Sequence, residues 1–284
     1  MSWRWVTMTV TLIRCQVSKL NVNLESDDAM NQPNGLLLAI DGVDGAGKDT
    51  QLKFFTSWLE HVYPEREIVS VQCPAKTCVG GILRRLVLGQ PCVGYRTCEE
   101  PLRYQDAASM HYVLTGPFTH DEVPDPFVQR WLLFAEYLYT YRTVIDPALA
   151  RGAIVVCNRA HFTSNYVYGI TAGLPAQAVE TVITMQGCYT NFPDRIVVLD
   201  LPVEVAKQRL EARGEAGGEI NHFDTADTAL FEKRRAVYRE LALHRWKTSM
   251  ALVDAEGTSP QVFERVLEAF ATILPPVSGG TTCA

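Results

Sequence analysis

Leu36-Leu-Leu-Ala-Ile-Asp-Gly-Val-Asp-Gly-Ala-Gly-Lys-Asp-Thr50 decides the fold of this chain. An apolar run that ends in glycines reads as a buried strand feeding a tight loop, and the loop frees backbone N–H groups to surround phosphate oxygens. A helix that begins near Lys48 points its positive end at the same anion. The spacing fits the phosphate-binding pattern GxxxxGK[ST] except at its last position, where Asp49 stands in place of the hydroxyl and Thr50 follows. A glycine-rich turn alone often serves only to bend a chain. Here a strand before it, a helix after it and a lysine at the right spacing point to a nucleoside triphosphate.

The rest of the chain fits one domain around this loop. With 284 residues, 47% of them hydrophobic, a single large core is expected. The net charge of -6 gives no general affinity for nucleic acid, so cations that touch phosphate have to be gathered in a cleft. The eight cysteines lack CxxC spacing, which argues against a zinc site or a disulfide framework and for reduced thiols. No apolar run approaches the roughly 20 residues that span a bilayer. Residues 1–34 carry Arg4, Arg14 and Lys19 and no acid before Glu25. They read either as an organelle transit peptide or as an unstructured extension, so the expected location is cytoplasmic, with mitochondrial as the alternative. The domain is expected over 35–275, with a tail at 276–284.

Beyond residue 35, apolar β-branched runs at Leu36 to Ile40, Ile68 to Val71, Ala153 to Cys157, Arg195 to Leu201 and Met250 to Val253 alternate with longer amphipathic stretches. The helices are expected at Gln51 to Val62, Pro126 to Ala150, Val203 to Ala212, Asp227 to Leu243 and Pro260 to Ile273. This is an α/β pattern, a five-stranded parallel sheet flanked by helices with phosphates at the carboxyl ends of the strands. Two segments break it. Gly89 to Asp125 reads as a surface excursion, and Gly214 to Asp224 is glycine-rich and polar, either a mobile lid or an ordinary interhelical loop. Arg209 and Arg213 precede the latter on one helical face and favour the lid.

In motif order, Leu36 to Leu274 resembles the thymidylate kinases, P-loop nucleoside monophosphate kinases. The loop GVDGAGKDTQ resembles the family's phosphate loop, including a carboxylate at Asp44 that lies near the acceptor's sugar in the family. The segment PAKTCVGG is similar to one in which an arginine holds the acceptor phosphate, a place taken here by Lys76. LLFAEYLYTYRTVIDPALARG resembles the helix whose phenylalanine stacks on the base, matching Phe134; plain core packing is the competing reading of that ring. VVCNRAHFTSN is similar to the family's Asp-Arg signature, with Asn158 and Arg159 in its place, and LDLPVEVAKQRLEARG resembles the approach to the lid.

The resemblance implies transfer of a phosphoryl group from ATP to a nucleoside monophosphate, dTMP being the acceptor expected from it, with Mg2+. Gly42, Val43, Asp44, Gly45, Ala46, Gly47, Lys48, Asp49, Thr50 and Arg209 are expected to hold ATP, and Asp44, Lys76, Phe134 and Arg159 the acceptor. Lys48, Asp44, Arg159 and Arg213 are the expected catalytic set; Asp44 has an alternative role in stabilising its own turn. A homodimer is compatible with the family's habits.

The departures are specific. Position 49 is a carboxylate in place of a hydroxyl, position 158 an amide in place of a carboxylate, and the arginine expected four residues after Phe134 is Leu138. If Asp49 ligates the metal while Asn158 gives up a charge, the site's total charge is preserved by exchange. Arg142, one turn beyond Leu138, either supplies the lost cation or is a solvated surface residue. Two further readings stay open: a kinase of another monophosphate, and a nucleotide-binding relative without turnover.

Overall fold

A computed structural model describes residues 35–72, Leu83, Val87, 125–218 and 223–276. The expectations placed on residues 1–34, Lys76, Gly89 to Pro124 and the tail beyond 276 lie outside the described residues.

Five strands form one parallel sheet: β1 (Leu36–Gly42), β2 (Ile68–Gln72), β3 (Ile154–Asn158), β4 (Arg195–Asp200) and β5 (Met250–Asp254), in the order β2-β3-β1-β4-β5. All five follow the expected apolar runs. Residues 37 to 42 of β1 are buried throughout and so is all of β3, because helices cover both faces of the sheet. Register sets the site. Ile40 lies opposite Asn158 and Gly42 opposite Leu199, so the ends of β1, β3 and β4 open at the same edge. The crossovers diverge between β1 and its two neighbours, and the cleft at that divergence is where such sheets bind ligands.

Helix α1 (Lys48–Val62) starts directly from the loop and buries Gln51, Leu52, Phe55 and Leu59. Phe55 stacks on Phe270 with centroids 4.5 Å apart, joining α1 to the C-terminal helix. Asp125 caps α2 (Pro126–Thr140) by accepting from the backbone N–H groups of Phe127 and Val128, with Pro126 in the first turn where its missing N–H costs nothing.

The single helix expected over Pro126 to Ala150 is divided. After α2 comes a π-helical turn, Tyr141–Ile145, and then the short α3 (Asp146–Ala150). Two helices not expected from the sequence follow β3: α4 (His161–Thr171) and α5 (Ala176–Tyr189). Then come α6 (Val203–Glu215), α7 (Thr228–Glu240) and, after β5, α8 (Ser259–Ala271). Helix α6 runs three residues past its expected end, and α7 gives way to a second π-helical turn at Leu241–Arg245. Among the described residues no helix is long and apolar enough to cross a membrane.

Candidate active site

The loop after β1 is shaped by glycine. Gly45 has φ +82, and a Cβ there would lie 2.4 Å from the carbonyl oxygen of Ala206, so a side chain is barred both by conformation and by the close approach of α6. Gly47, at φ +94, is the residue before the first helical turn. Lys48 folds back across the loop: its Nζ donates to the carbonyl oxygens of Gly42 at 3.0 Å and Val43 at 2.7 Å, and lies 3.6 Å from Asp44 Oδ1. Burial, reinforced by the charge of Arg159, pulls the Lys48 ammonium down to about 8 against the opposing pull of Asp44, Asp41 and Asp49.

Under the loop, Asp41 is fully buried and saturated with donors. It accepts from the N–H of Gly42 (2.8 Å) and of Ala160 (3.2 Å), from the hydroxyls of Tyr238 (2.9 Å), Ser164 (3.4 Å) and Thr163, and from Arg159 Nη1 at 3.4 Å. One carboxylate thereby pins β1, α4 and α7 together, which is the condition under which a buried charge is tolerated.

Arg159 leaves β3 in the left-handed region, at φ 75, and is the non-glycine residue with positive φ among those described. Its N–H donates to the carbonyl of Ile40 at 2.8 Å, which holds the turn and aims the guanidinium back at the loop. There Nη2 pairs with Asp44, whose other oxygen accepts from the Tyr168 hydroxyl at 2.9 Å. Burial alone raises the Asp44 carboxyl, but Arg159, Lys48, the Tyr168 hydroxyl and Arg234 together hold it well below the usual carboxylate range. Burial lowers Arg159 in turn, but Asp44, Tyr168, Tyr238 and Asp41 together outweigh that cost and push it up. Asp44 therefore bonds to the site, not to its own turn.

Asn158 and Asp49 meet. The Asn158 amide donates from Nδ2 to Asp49 Oδ1, while Asn158 Oδ1 is buried with no hydrogen-bond partner. Both line a cavity of about 550 Å³ together with Asp44, Gly45, Gly47, Lys48, Thr50, Arg159, Arg209 and Arg213. These residues fit Mg2+: a carboxylate and an orphaned amide oxygen are hard ligands beside a phosphate loop, and this ion takes one or two protein carboxylates and fills its shell with water and phosphate. No cluster of three or more His, Cys, Asp or Glu is found among the described residues, and such an ion needs none.

Two arginines of α6 face the same space. Arg209 Nη2 donates to Ala255 O at 3.3 Å, and its Nη1 is 3.8 Å from where a Cβ on Gly47 would sit. Arg213 pairs with the buried carboxylate of Asp224 at 3.0 Å, so the end of the expected lid is tied to the helix before it.

Phe134 follows the core-packing arrangement that competed with base stacking. It does not line the cavity but packs against Trp131 and Tyr189, with centroids 5.9 and 6.5 Å away. Arg130, Leu133 and Tyr137 present the cavity face of α2. Residues without a role in the sequence reading but central here are Asp41, Tyr168, Arg130 and Arg234. The legible signals were an acid ending an apolar strand and a lone cation on the apolar face of α2. Tyr168 carried none.

Comparison with known proteins agrees with this arrangement. The sequence profile of the family "Thymidylate kinase" matches residues 118–266. The chain is 31% identical over 239 residues to the thymidylate kinase of Xanthomonas campestris pv. campestris strain B100, covering 84% of this chain and 86% of that one. It is 30% identical over 245 residues to the thymidylate kinase of Burkholderia lata, covering 83% and 98%. The crystal structure of thymidylate kinase from Ehrlichia chaffeensis superposes with a TM-score of 0.56 over 83% of this chain and 98% of that one; at 14% identity it speaks for the fold, the P-loop NTPase fold. By sequence profile, by curated relatives and by the architecture of its phosphate loop, this chain belongs to the thymidylate kinase family.

Proposed function

We propose that the protein transfers the terminal phosphoryl group of ATP to dTMP, giving dTDP and ADP, with Mg2+. The observation that carries this is the shared cavity: the phosphate loop with Lys48 and the Asp44–Arg159 pair open into one space, with two α6 arginines on its wall. Phosphoryl transfer asks little covalent chemistry of a protein and much positioning and charge neutralisation.

Backbone N–H groups from Gly45 to Lys48 hold the donor phosphates, and Lys48 exchanges its two carbonyl partners for phosphate oxygens. Asp49, braced by Asn158, would hold the metal ion, with the Asn158 amide oxygen available as a further hard ligand. The ion, when bound, screens charge on the transferring group. Arg159 offers its remaining donors to the acceptor phosphate, joined by Lys76, and Asp44 orients the acceptor sugar. Arg213 and Arg209 neutralise charge on the moving group and exclude water when the lid segment closes. The catalytic unit spans 35–275, and we propose that it works as a homodimer.

A second acceptor is the alternative reading, favoured by the position of Phe134 outside the cavity. Coupled ADP release with Mg2+ across dTMP, dUMP, dCMP, dGMP and dAMP tests both. Turnover on dTMP above the others is expected; preference for another acceptor refutes the dTMP reading, and ATP binding without turnover on any refutes phosphotransfer.

A further inference from the structure

Arg234 gathers three aromatic rings around a charge that no acid answers. Helix α7 buries Phe231, Arg234 and Tyr238 in one stripe, and the middle position carries a guanidinium where an apolar side chain is expected. Arg234 is 5% exposed, its Nε has no partner, and no carboxylate among the described residues forms an ion pair with it. Its charge lies over rings instead: the guanidinium carbon is 4.8 Å from the centroid of Tyr168 and 5.6 Å from those of Phe223 and Phe231. Nη1 donates to the carbonyl oxygen of Phe223 at 3.0 Å. Arg130 and Arg159 approach the same Tyr168 ring, each at 5.7 Å, so like charges add to the cost of burying a third cation there. If filling space were the whole task, methionine would pack against the same rings without that cost.

What the guanidinium adds is direction. Tyr168, on α4, donates its hydroxyl to Asp44 at 2.9 Å. Burial, with Asp44 adding and Arg159 and Arg234 opposing, holds that phenol well above its ordinary range, so it stays a donor. Phe223 meets the Tyr168 ring edge-on, with centroids 5.3 Å apart, and the next residue, Asp224, pairs with Arg213 on the cavity wall. Arg234 does not line the cavity itself, yet it ties the ring that steadies Asp44 to the residues that hold Arg213.

We propose that Arg234 is a positioning residue for the acceptor nucleotide that acts through Tyr168, a role that rests on the function proposed above and deepens it. Stacked on the ring and anchored at the Phe223 carbonyl, the guanidinium fixes the angle at which the Tyr168 hydroxyl reaches Asp44, and so the angle at which Asp44 meets the acceptor sugar. Without this clamp Asp44 keeps Arg159 and the nearby Lys48 on one oxygen and loses the fixed donor on the other. Acceptor binding then weakens, while the backbone N–H groups that hold the donor phosphates stay where they are.

Steady-state ADP formation and calorimetry of dTMP binding, both on the full chain, test this in a cycle of Arg234→Met, Tyr168→Phe and the double variant. Arg234→Met is expected to raise KM and the dissociation constant for dTMP by about 5- to 20-fold and to leave KM for ATP within about twofold. On Tyr168→Phe, which has already lost the hydroxyl, the same change should add no more than about twofold. Arg234→Lys keeps the charge and a donor but not the planar face, so it should recover part of the loss, and it replaces Arg234→Met in the cycle if that variant fails to fold in a urea titration. Full additivity of the two changes overturns the proposal. So does a lower urea midpoint with dTMP affinity unchanged, which marks Arg234 as packing alone, or an equal rise in KM for ATP, which marks it as a support of the whole loop. An acceptor preferred over dTMP takes its place in the cycle. Absence of turnover on every monophosphate instead defeats the proposed function, and the dTMP-binding cycle then decides Arg234 separately; wild-type protein that binds no monophosphate defeats both.

Discussion

Exchange of charge between positions 49 and 158 makes a double-substitution prediction with a definite sign. In the protein, Asn158 donates to Asp49 and the pair holds one carboxylate. Asp49→Ser removes it, leaving the metal end of the cavity with none. Asn158→Asp adds a second next to the first: two unit charges about 4 Å apart repel by about 4 kcal/mol at the effective dielectric of about 20 that suits such partly buried pairs. Each single change is thus expected to lower kcat/KM for ATP by about 10²- to 10³-fold. The double change restores one carboxylate facing one hydrogen-bonding partner, so its loss should be no larger than that of either single change. The coupling energy this implies is about 3 to 4 kcal/mol or more. Steady-state ADP formation at several Mg2+ concentrations measures it, and Mn2+ binding followed by electron paramagnetic resonance reads the metal site independently of turnover. If the two losses simply add, within about 0.5 kcal/mol, the two positions act separately and the exchange argument is wrong.

Three further outcomes follow from the geometry. Gly45→Ala meets the Ala206 carbonyl at 2.4 Å in a left-handed backbone and should destabilise the fold by about 2 to 3 kcal/mol, read as a lower urea midpoint; an unchanged midpoint contradicts the packing of α6 on the loop. Lys48 is held near 8 in the free loop, and phosphate will raise it; ATP binding should therefore take up a proton above that pH and weaken as pH climbs past it. Calorimetry in buffers of different ionisation enthalpy checks the proton count, and release instead of uptake reverses the argument. Tyr238→Phe removes one hydroxyl from the buried Asp41 and should cost about 1.5 to 3 kcal/mol of stability, whereas a loss below about 0.5 kcal/mol in chemical denaturation means the remaining donors compensate fully.

The parts that were legible in the sequence are those where burial dictates the pattern. Five apolar runs became five strands because a parallel sheet covered on both faces demands continuous apolar sequence. Helices α4 and α5 were illegible for the opposite reason. On α4, Thr163, Ser164 and Asn165 are buried although polar, and Thr163 and Ser164 serve Asp41, so the apolar stripe that announces a helix is broken by residues that build the site. The π-helical turn after α2 was hidden too, since Tyr141 is fixed by a hydrogen bond of 2.9 Å to Asn191 O, a partner 50 residues away. Between the two readings of Phe134, base platform and core packing, the sequence could not choose, because motif order gives a residue's element but not its packing partners.

Sequence by itself determined the phosphate loop, the sheet and the presence of cations near the lid, since glycine conformation, strand burial and helix polarity are local or nearly so. Tertiary structure decided which charges meet. Asp49 finds Asn158 from 109 positions away and Asp44 finds Arg159 from 115, because Ile40 and Asn158 stand in register on neighbouring strands. It also decided that Arg130, buried on α2, lines the cavity with no ion-pair partner among the described residues, a fact of burial that no periodicity encodes.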